Sequence, residues 1–412
     1  MKKLIKVLLI IVLVIAAIFA VFAILNKINE GVMNGYVDSF EKVEIDGQLT
    51  PLTDGDGNYY FETDEEFKVM HLTDIHIGGG ILSQGKDKKA VNAVAAMIAE
   101  EKPDLVVVTG DISFAVPFIS GTFNNAYAHN TFKRLMERLG VYWTVTFGNH
   151  DSEAYNFHNR AAVSKMYSDE SLEYCLFSSE DDIPGEGNHV INVKNSLGFI
   201  TRSLYMIDSH AYTDDDPLGI KWDYDYIKEG QIDCYRVSVI KSIDSNREVY
   251  NSLPEDIKPM YLSQIEPKSL MFMHIPLLEV KMAYDEYVEA GRSDTGAVIF
   301  QGGVDGEDEE VVFSSRTDTE LYETVLELGL TEAIFFGHDH LNNFEIEYNG
   351  VLFSYGYSID YLAYSGIANK GAQRGCTVIL LSEGSDAQII HENYYQDKYT
   401  PLYEKEGVDM SY

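Results

Sequence analysis

The run Tyr142-Trp143-Thr144-Val145-Thr146-Phe147-Gly148-Asn149-His150-Asp151 decides the fold. Its first six residues, all aromatic or β-branched, read as a buried strand, and the strand runs straight into a glycine and three side chains that can bind metal or move protons. The same event recurs on either side. Lys68 to Thr73 leads into Asp74-Ile75-His76, and Leu105 to Thr109 into Gly110-Asp111. Further on, Leu270 to Met273 leads into His274, and Ala333 to Phe336 into Gly337-His338-Asp339-His340. Ligands of open α/β sheets bind beyond the carboxyl ends of the strands, so these five strand ends are expected to converge on one site.

Between the strands lie helical stripes. Val91, Val94, Ala95 and Ile98 form one before Pro103; Phe132, Leu135, Met136 and Leu139 form another, closed by Gly140; Leu321, Val325 and Leu328 form a third, closed by Gly329. Ser203 to Ile207 reads as one more strand, and Asn349-Gly350, flanked by alternating apolar residues, as a late hairpin. The pattern is α/β with buried sheets. Asp54, Asp56, Asn58 and Glu65 loosely mimic a calcium loop, but Tyr59 stands where that loop needs glycine, so a hairpin turn is the better reading.

The 412 residues are 45% hydrophobic and 24% charged, ample for a large core and far from the composition of a disordered chain. Lys and Arg number 31 against 66 Asp and Glu, a net charge of −35 that disfavours binding to a nucleic-acid backbone. Three cysteines, Cys175, Cys234 and Cys376, have no zinc-site spacing and allow one disulfide at most.

Every residue from Val7 to Leu25 is apolar, with Lys2, Lys3 and Lys6 ahead and Lys27 behind. That run is long enough to span a bilayer and lacks a small-x-small cleavage site, which favours an uncleaved anchor over a signal segment. The lysines place the N-terminus in the cytoplasm and the rest of the chain outside, at the cell membrane as a single-pass protein; secretion after cleavage is the alternative. The expected organisation is an anchor over 1–30, a linker and leading hairpin over 31–66, one catalytic domain over 67–385 and a tail over 386–412.

Asp74-x-His76, Gly110-Asp111, Gly148-Asn149-His150-Asp151, His274 and Gly337-His338-x-His340, in that order, resemble the signature of the calcineurin-like metallophosphoesterase superfamily. The continuation through Ser354-Tyr355-Gly356-Tyr357 to Arg374-Gly375 is similar to bacterial and fungal relatives of purple acid phosphatases. The resemblance covers about Phe67 to Leu381. It implies a two-sheet β-sandwich flanked by helices, here following an N-terminal transmembrane helix, and a binuclear centre that hydrolyses phosphate esters through a bound hydroxide. It also implies that Asp74, His76, Asp111 and His340 hold one metal while Asp111, Asn149, His274 and His338 hold the other. A mixed imidazole and oxygen set suits Fe, Mn, Zn or Co rather than calcium.

His150 is not a ligand in that pattern and is free to act as general acid, with Asp151 orienting it or supporting its loop. Arg374 as a bidentate phosphate clamp and His210 as a cleft residue are the expected substrate contacts. Phe114 departs from two branches at once: purple acid phosphatases have a metal-binding tyrosine three positions after the bridging aspartate, and protein Ser/Thr phosphatases an aspartate that orients the acid. The expected activity is a phosphomonoesterase. A diesterase acting on nucleotides or lipid head groups, and a catalytically inert surface-binding module, are the alternatives.

Overall fold

The computed structural model describes residues 2–180, 182–307, 311–364, 366–369, 371 and 373–408. Fourteen strands are found among them. They are β1 (Leu52–Thr53), β2 (Tyr59–Glu62), β3 (Phe67–Leu72), β4 (Leu105–Thr109), β5 (Trp143–Thr146), β6 (His189–Lys194) and β7 (Ile200–Met206). The later seven are β8 (Lys268–Phe272), β9 (Val298–Gly302), β10 (Thr331–Phe336), β11 (Glu345–Tyr348), β12 (Val351–Tyr355), β13 (Gly375–Leu381) and β14 (Gln388–Asn393). The helices are α1 (Lys2–Asp38), α2 (Gln84–Glu101), α3 (Pro117–Ser120), α4 (Ala126–Leu139), α5 (Arg160–Tyr167), α6 (Glu229–Ser252), α7 (Leu278–Glu289) and α8 (Leu321–Leu328).

Two mixed sheets result. One has the order β1-β2-β6-β7-β8-β10-β12-β11-β9 and the other β14-β13-β3-β4-β5. The parallel run β7-β8-β10-β12 sits at the centre of the large sheet and β3-β4-β5 forms one end of the smaller, and both are covered on their two faces, which is why these strands are apolar on both sides. Phe67, Val69, Leu105, Val107, Leu270, Phe272 and Phe335 fill the space between the sheets. Outside the five-stranded sheet, Met70, Val106, Val108 and Val145 pack on Val91, Val94, Leu135 and Met136 of α2 and α4. Outside the nine-stranded sheet, Met271, Ile334 and Phe353 pack on Tyr235, Val280 and Val325 of α6, α7 and α8. The layers run helix, sheet, sheet, helix, and both parallel runs present their carboxyl ends to the same crevice.

The chain departs from the expected organisation at both ends. Instead of a linker after residue 30, α1 continues unbroken to Asp38 and lays Asn26, Asn29, Met33 and Val37 onto the domain as a buried stripe. Those residues recur at helical spacing, but Gly31 and Gly35 between them mask the periodicity. β2 pairs with β6, so the leading hairpin is part of the large sheet; its turn is closed by Asp54, whose carboxylate accepts from the Asp56 and Asn58 N–H groups at 2.9 Å. Of the tail expected over 386–412, the described residues 386–408 supply the edge strand β14 and the buried rings of Tyr394 and Tyr399, and 409–412 lie outside the described residues. All three cysteines are free thiols.

From Leu4 to Ile15 α1 projects from the domain with apolar side chains exposed, and from Ile18 to Ala23 one side of it borders the domain's loops. It is long and apolar enough to cross a membrane, as an anchor or as a signal sequence.

Candidate metal centre

Four of the seven candidate ligands are placed by backbone that leaves the strand in an unusual conformation. Asp74 (φ 50°), His76 (φ 52°), Asp111 (φ 51°) and His338 (φ 74°) all lie in the left-handed region. Such conformations cost on the order of 1–3 kcal/mol each and persist where the surroundings impose them, typically at functional sites. Here neighbouring strand ends do the imposing: the His76 N–H donates to Asp111 O at 2.9 Å and the Asp74 N–H to Gly110 O at 3.2 Å. Gly148 is required sterically, because a Cβ there would stand 2.1 Å from Asp111 Oδ1.

Two groups of donors form. Donor atoms of Asp74, His76, Asp111 and His340 lie within 4.8 Å of one another, as do those of Asp111, His274 and His338. Asp111 belongs to both: its Oδ2 is 3.3 Å from His76 Nε2 and 3.1 Å from His274 Nε2. His274 donates from Nδ1 to Thr109 O at 2.7 Å, which turns Nε2 into the site. Asn149 donates its amide N–H to Tyr212 Oη at 2.8 Å, and its Oδ1 is left buried without a hydrogen-bond partner. An orphaned buried amide oxygen and an imidazole nitrogen aimed at a shared carboxylate fit a pair of cations, as does the mixed N and O donor set. Of the six ionisable donors, Asp74, His76 and Asp111 follow strands of the five-stranded sheet and His274, His338 and His340 follow strands of the nine-stranded sheet, so the cluster sits where the two sheets meet.

The electrostatics agree. Burial opposes ionisation of Asp111, yet the His274 and His150 imidazoles hold its carboxyl well below the usual carboxylate range. Burial likewise opposes the charged form of His340, but Asp74 and Asp360 raise it well above the ordinary imidazole value. His76 is raised to about 9 by Asp360 and Asp111 against the same penalty. His338 goes the other way: burial and the His274 charge keep it neutral, the form that ligates metal.

Asp360 was not singled out from the sequence. Fully buried, it lies 3.3 Å from His76 Nδ1 and 3.6 Å from His340 Nδ1, behind two imidazoles of one group. Its carboxylate accepts from the Leu362, Ala363 and Tyr364 N–H groups at 2.6–2.8 Å. The signal that could have found it is positional, since Asp360 follows β12, another parallel strand ending in the same crevice. Glu153 was missed as well. Its Oε1 is 2.6 Å from His150 Nδ1, so the carboxylate that Phe114 cannot supply comes from three residues after the histidine. Phe114 packs its ring 4.9 Å from those of His76 and His150.

Asp151, Arg374 and His210 are placed away from the substrate side. Asp151 supports the loop: its carboxylate takes the N–H groups of Gly148, Asp111 and Ser113 at 2.8–3.0 Å. Arg374 is almost fully buried, donates to Ile359 O and Asp360 O, and stacks on Tyr361 at 3.7 Å, fixing the segment that carries Asp360. A guanidinium spent on two carbonyls and a ring does not reach the crevice. His210 pairs Nε2 with Gln231 Oε1 at 2.7 Å; its loop reaches the site through Tyr212 instead. The crevice opens as a cavity of about 340 Å³ lined by His150, Glu153, Tyr155, Trp222, Tyr224 and Tyr364 among others.

Two facing sheets with an Asp, His and Asn cluster at their strand ends define the class of proteins that hold metal ions between two β-layers. The chain belongs to the calcineurin-like phosphoesterase family, which matches residues 67–342. It is similar to "Probable inactive purple acid phosphatase 28" of Arabidopsis thaliana, 25% identical over 74% of this chain and 73% of that one. It is also similar to "Phosphatase DCR2" of Saccharomyces cerevisiae, 26% identical over 69% of this chain and 46% of that one. Among solved structures, a dimetal phosphatase from Danio rerio aligns with a TM-score of 0.47 and 11% identity, over 80% of this chain and 97% of that one.

Proposed function

We propose that this chain is an active phosphomonoesterase, anchored by α1 in the cell membrane with its catalytic domain on the extracytoplasmic side. The observation that carries the reading is the completeness of the site: seven candidate ligands converge, and an eighth residue, His150, faces the cavity without belonging to either donor group. The word "inactive" in the plant relative's name is said of that protein; the yeast relative's name is that of a phosphatase.

Asp74, His76, Asp111 and His340 would hold one transition metal ion, and Asp111, Asn149, His274 and His338 the other. Bound there, two such ions would supply an activated water and the positive charge that a phosphoryl group needs. No Lys or Arg is among the described residues that line the cavity. The chain's own part is positioning and proton transfer. Glu153 holds His150 Nδ1–H, which fixes the ring and leaves Nε2 toward the cavity, where it hands a proton to the departing alkoxide. Tyr212 fixes the Asn149 amide so that its oxygen, not its nitrogen, faces the centre.

The test is a panel of phosphomonoesters and diesters assayed with the full-length protein loaded in turn with Mn, Zn, Fe or Co. Monoester hydrolysis above the diester rate is expected. Faster diester cleavage would replace the monoester reading by the diesterase, and no turnover with two metals bound per chain would leave an inert binding module.

A further inference from the structure

The loops around the outer half of the site lack acidic residues, lysine and arginine. Ile75 to Gly85, Ile112 to Ala128 and Tyr155 to Asn159 contain no Asp, Glu, Lys or Arg, in a chain that is 24% charged. These three segments come together beside α1 and expose large apolar side chains there. Phe118 is 95% exposed, Phe157 71% and Leu82 56%. With Phe19 and Phe22 of α1 they border an apolar groove of about 390 Å³.

The depth of this shelf relative to α1 can be read from contacts. Asn26, the first polar residue after the apolar run, is fixed to the domain: its Nδ2 donates to Gly121 O and its Oδ1 accepts from the Ile81 N–H, both at 2.9 Å. Phe123 lies against Phe19 with ring centroids 6.2 Å apart, and Phe157 stacks on Phe123 at 6.2 Å. Phe19 is six residues before Leu25, about 9 Å inside the end of the apolar run at 1.5 Å per residue. If α1 spans a bilayer, Phe123 and Phe157 sit below the lipid surface, at the depth that interfacial elements reach, roughly 5–10 Å.

We propose that Leu82, Phe118, Ile119, Phe123 and Phe157 form a lipid-embedded shelf: the catalytic domain sits in the leaflet that α1 exits, with phospholipid acyl chains filling the groove between shelf and helix. The inference rests on the anchor reading of α1. Continuity argues for lipid as the occupant, because the groove is walled on one side by the apolar face of the helix itself and no charged residue interrupts it. The same loop carries Phe114 against His150 and, four residues on, Phe118, so one loop joins the shelf to the histidine of the site.

Tryptophan placed by substitution reads the geometry directly. The full-length chain is reconstituted in phosphatidylcholine vesicles with or without bromine on the acyl chains, and the signal of the parent chain is subtracted. Phe118→Trp and Phe157→Trp are expected to lose most of their emission to acyl bromine and little to aqueous iodide. Met260→Trp, at an exposed site beyond the amino-terminal end of β8, is expected to do the reverse. Leu13→Trp reports on α1. Bromine quenching at residue 13 with iodide quenching at 118 and 157 would overturn the shelf and leave the anchor standing; no bromine quenching at residue 13 would remove the anchor reading and the shelf with it. Protection from both quenchers at 118 and 157 would mean that protein covers the patch, and would also overturn it.

Discussion

At Asp111 one carboxylate faces two imidazoles from two different strand ends, and its backbone N–H is held by Asp151. Asp111→Asn removes the shared charge while keeping the shape, so it is expected to lose turnover by more than about tenfold and to weaken both metals, with the fold intact. Activity within tenfold of the parent, with two metals still bound, would show that Asp111 does not bridge. His150→Ala is expected to keep both metals and lower kcat by about 10²–10⁴, less for nitrophenyl esters whose leaving group needs no proton. If Glu153, which also lines the cavity, acts on the reaction through its contact with His150, the double variant His150→Ala/Glu153→Ala should be no slower than His150→Ala alone. An additive loss would give Glu153 a separate role. These pairings also show what was legible at this scale. The seven proposed ligands stand at strand ends, where a sequence pattern can mark them. Glu153, Asp360 and Tyr212 act through a neighbour's ring or amide, and only the folded backbone brings them to it.

At the scale of elements, the central strands were readable because parallel strands buried on both faces are continuous apolar runs. β4 has the limits expected from its sequence, and β3, β5 and β10 differ by a residue or two at their ends. What escaped was edge structure. β2 and β14 are half exposed, and their pairing partners β6 and β13 lie over a hundred residues away or on a neighbouring run that periodicity cannot connect. The second half of α1 escaped for a different reason, since its buried stripe includes two asparagines whose partners, Gly121, Ile81 and Gln84, are supplied by the domain. This stripe bears on topology. If α1 is an anchor, the protein should fractionate with membranes, and protease added to intact cells should remove the domain. Recovery from the medium, trimmed near residue 25, would identify a cleaved signal segment. Arg374→Ala offers an element-scale test of the site: the segment carrying Asp360 should loosen, and the metal shared by His76 and His340 should bind more weakly while the His274 and His338 metal is retained. Equal weakening of both would argue that Arg374 supports the fold at large.

For the whole molecule, the proposed centre is a clasp between two layers. Asp74, His76, Asp111 and Asn149 follow strands of one sheet, whereas His274, His338 and His340 follow strands of the other, so a ligand that joins them resists separation of the sheets. Without metal, the same interface is held in part by protons. Burial works against a charged His76, but Asp360 and Asp111 raise it to about 9, against about 6.5 for an unfolded histidine. A folded-state value raised in this way contributes stability that is fully present below about pH 6.5 and is lost as pH climbs through about 9. Metal binding must displace that proton, so affinity moves in the opposite direction, by about tenfold or ~1.4 kcal/mol per pH unit for each proton released. The two trends diverge over one window. Between pH 6.5 and 9 the apparent Tm of the chelator-treated protein should fall, while the gap between it and the Mn- or Zn-loaded protein should widen. Full-length protein in detergent, heated with and without chelator at several pH values across that range, makes the comparison. A gap that stays constant or narrows would mean that these imidazoles are not the groups the metal takes over.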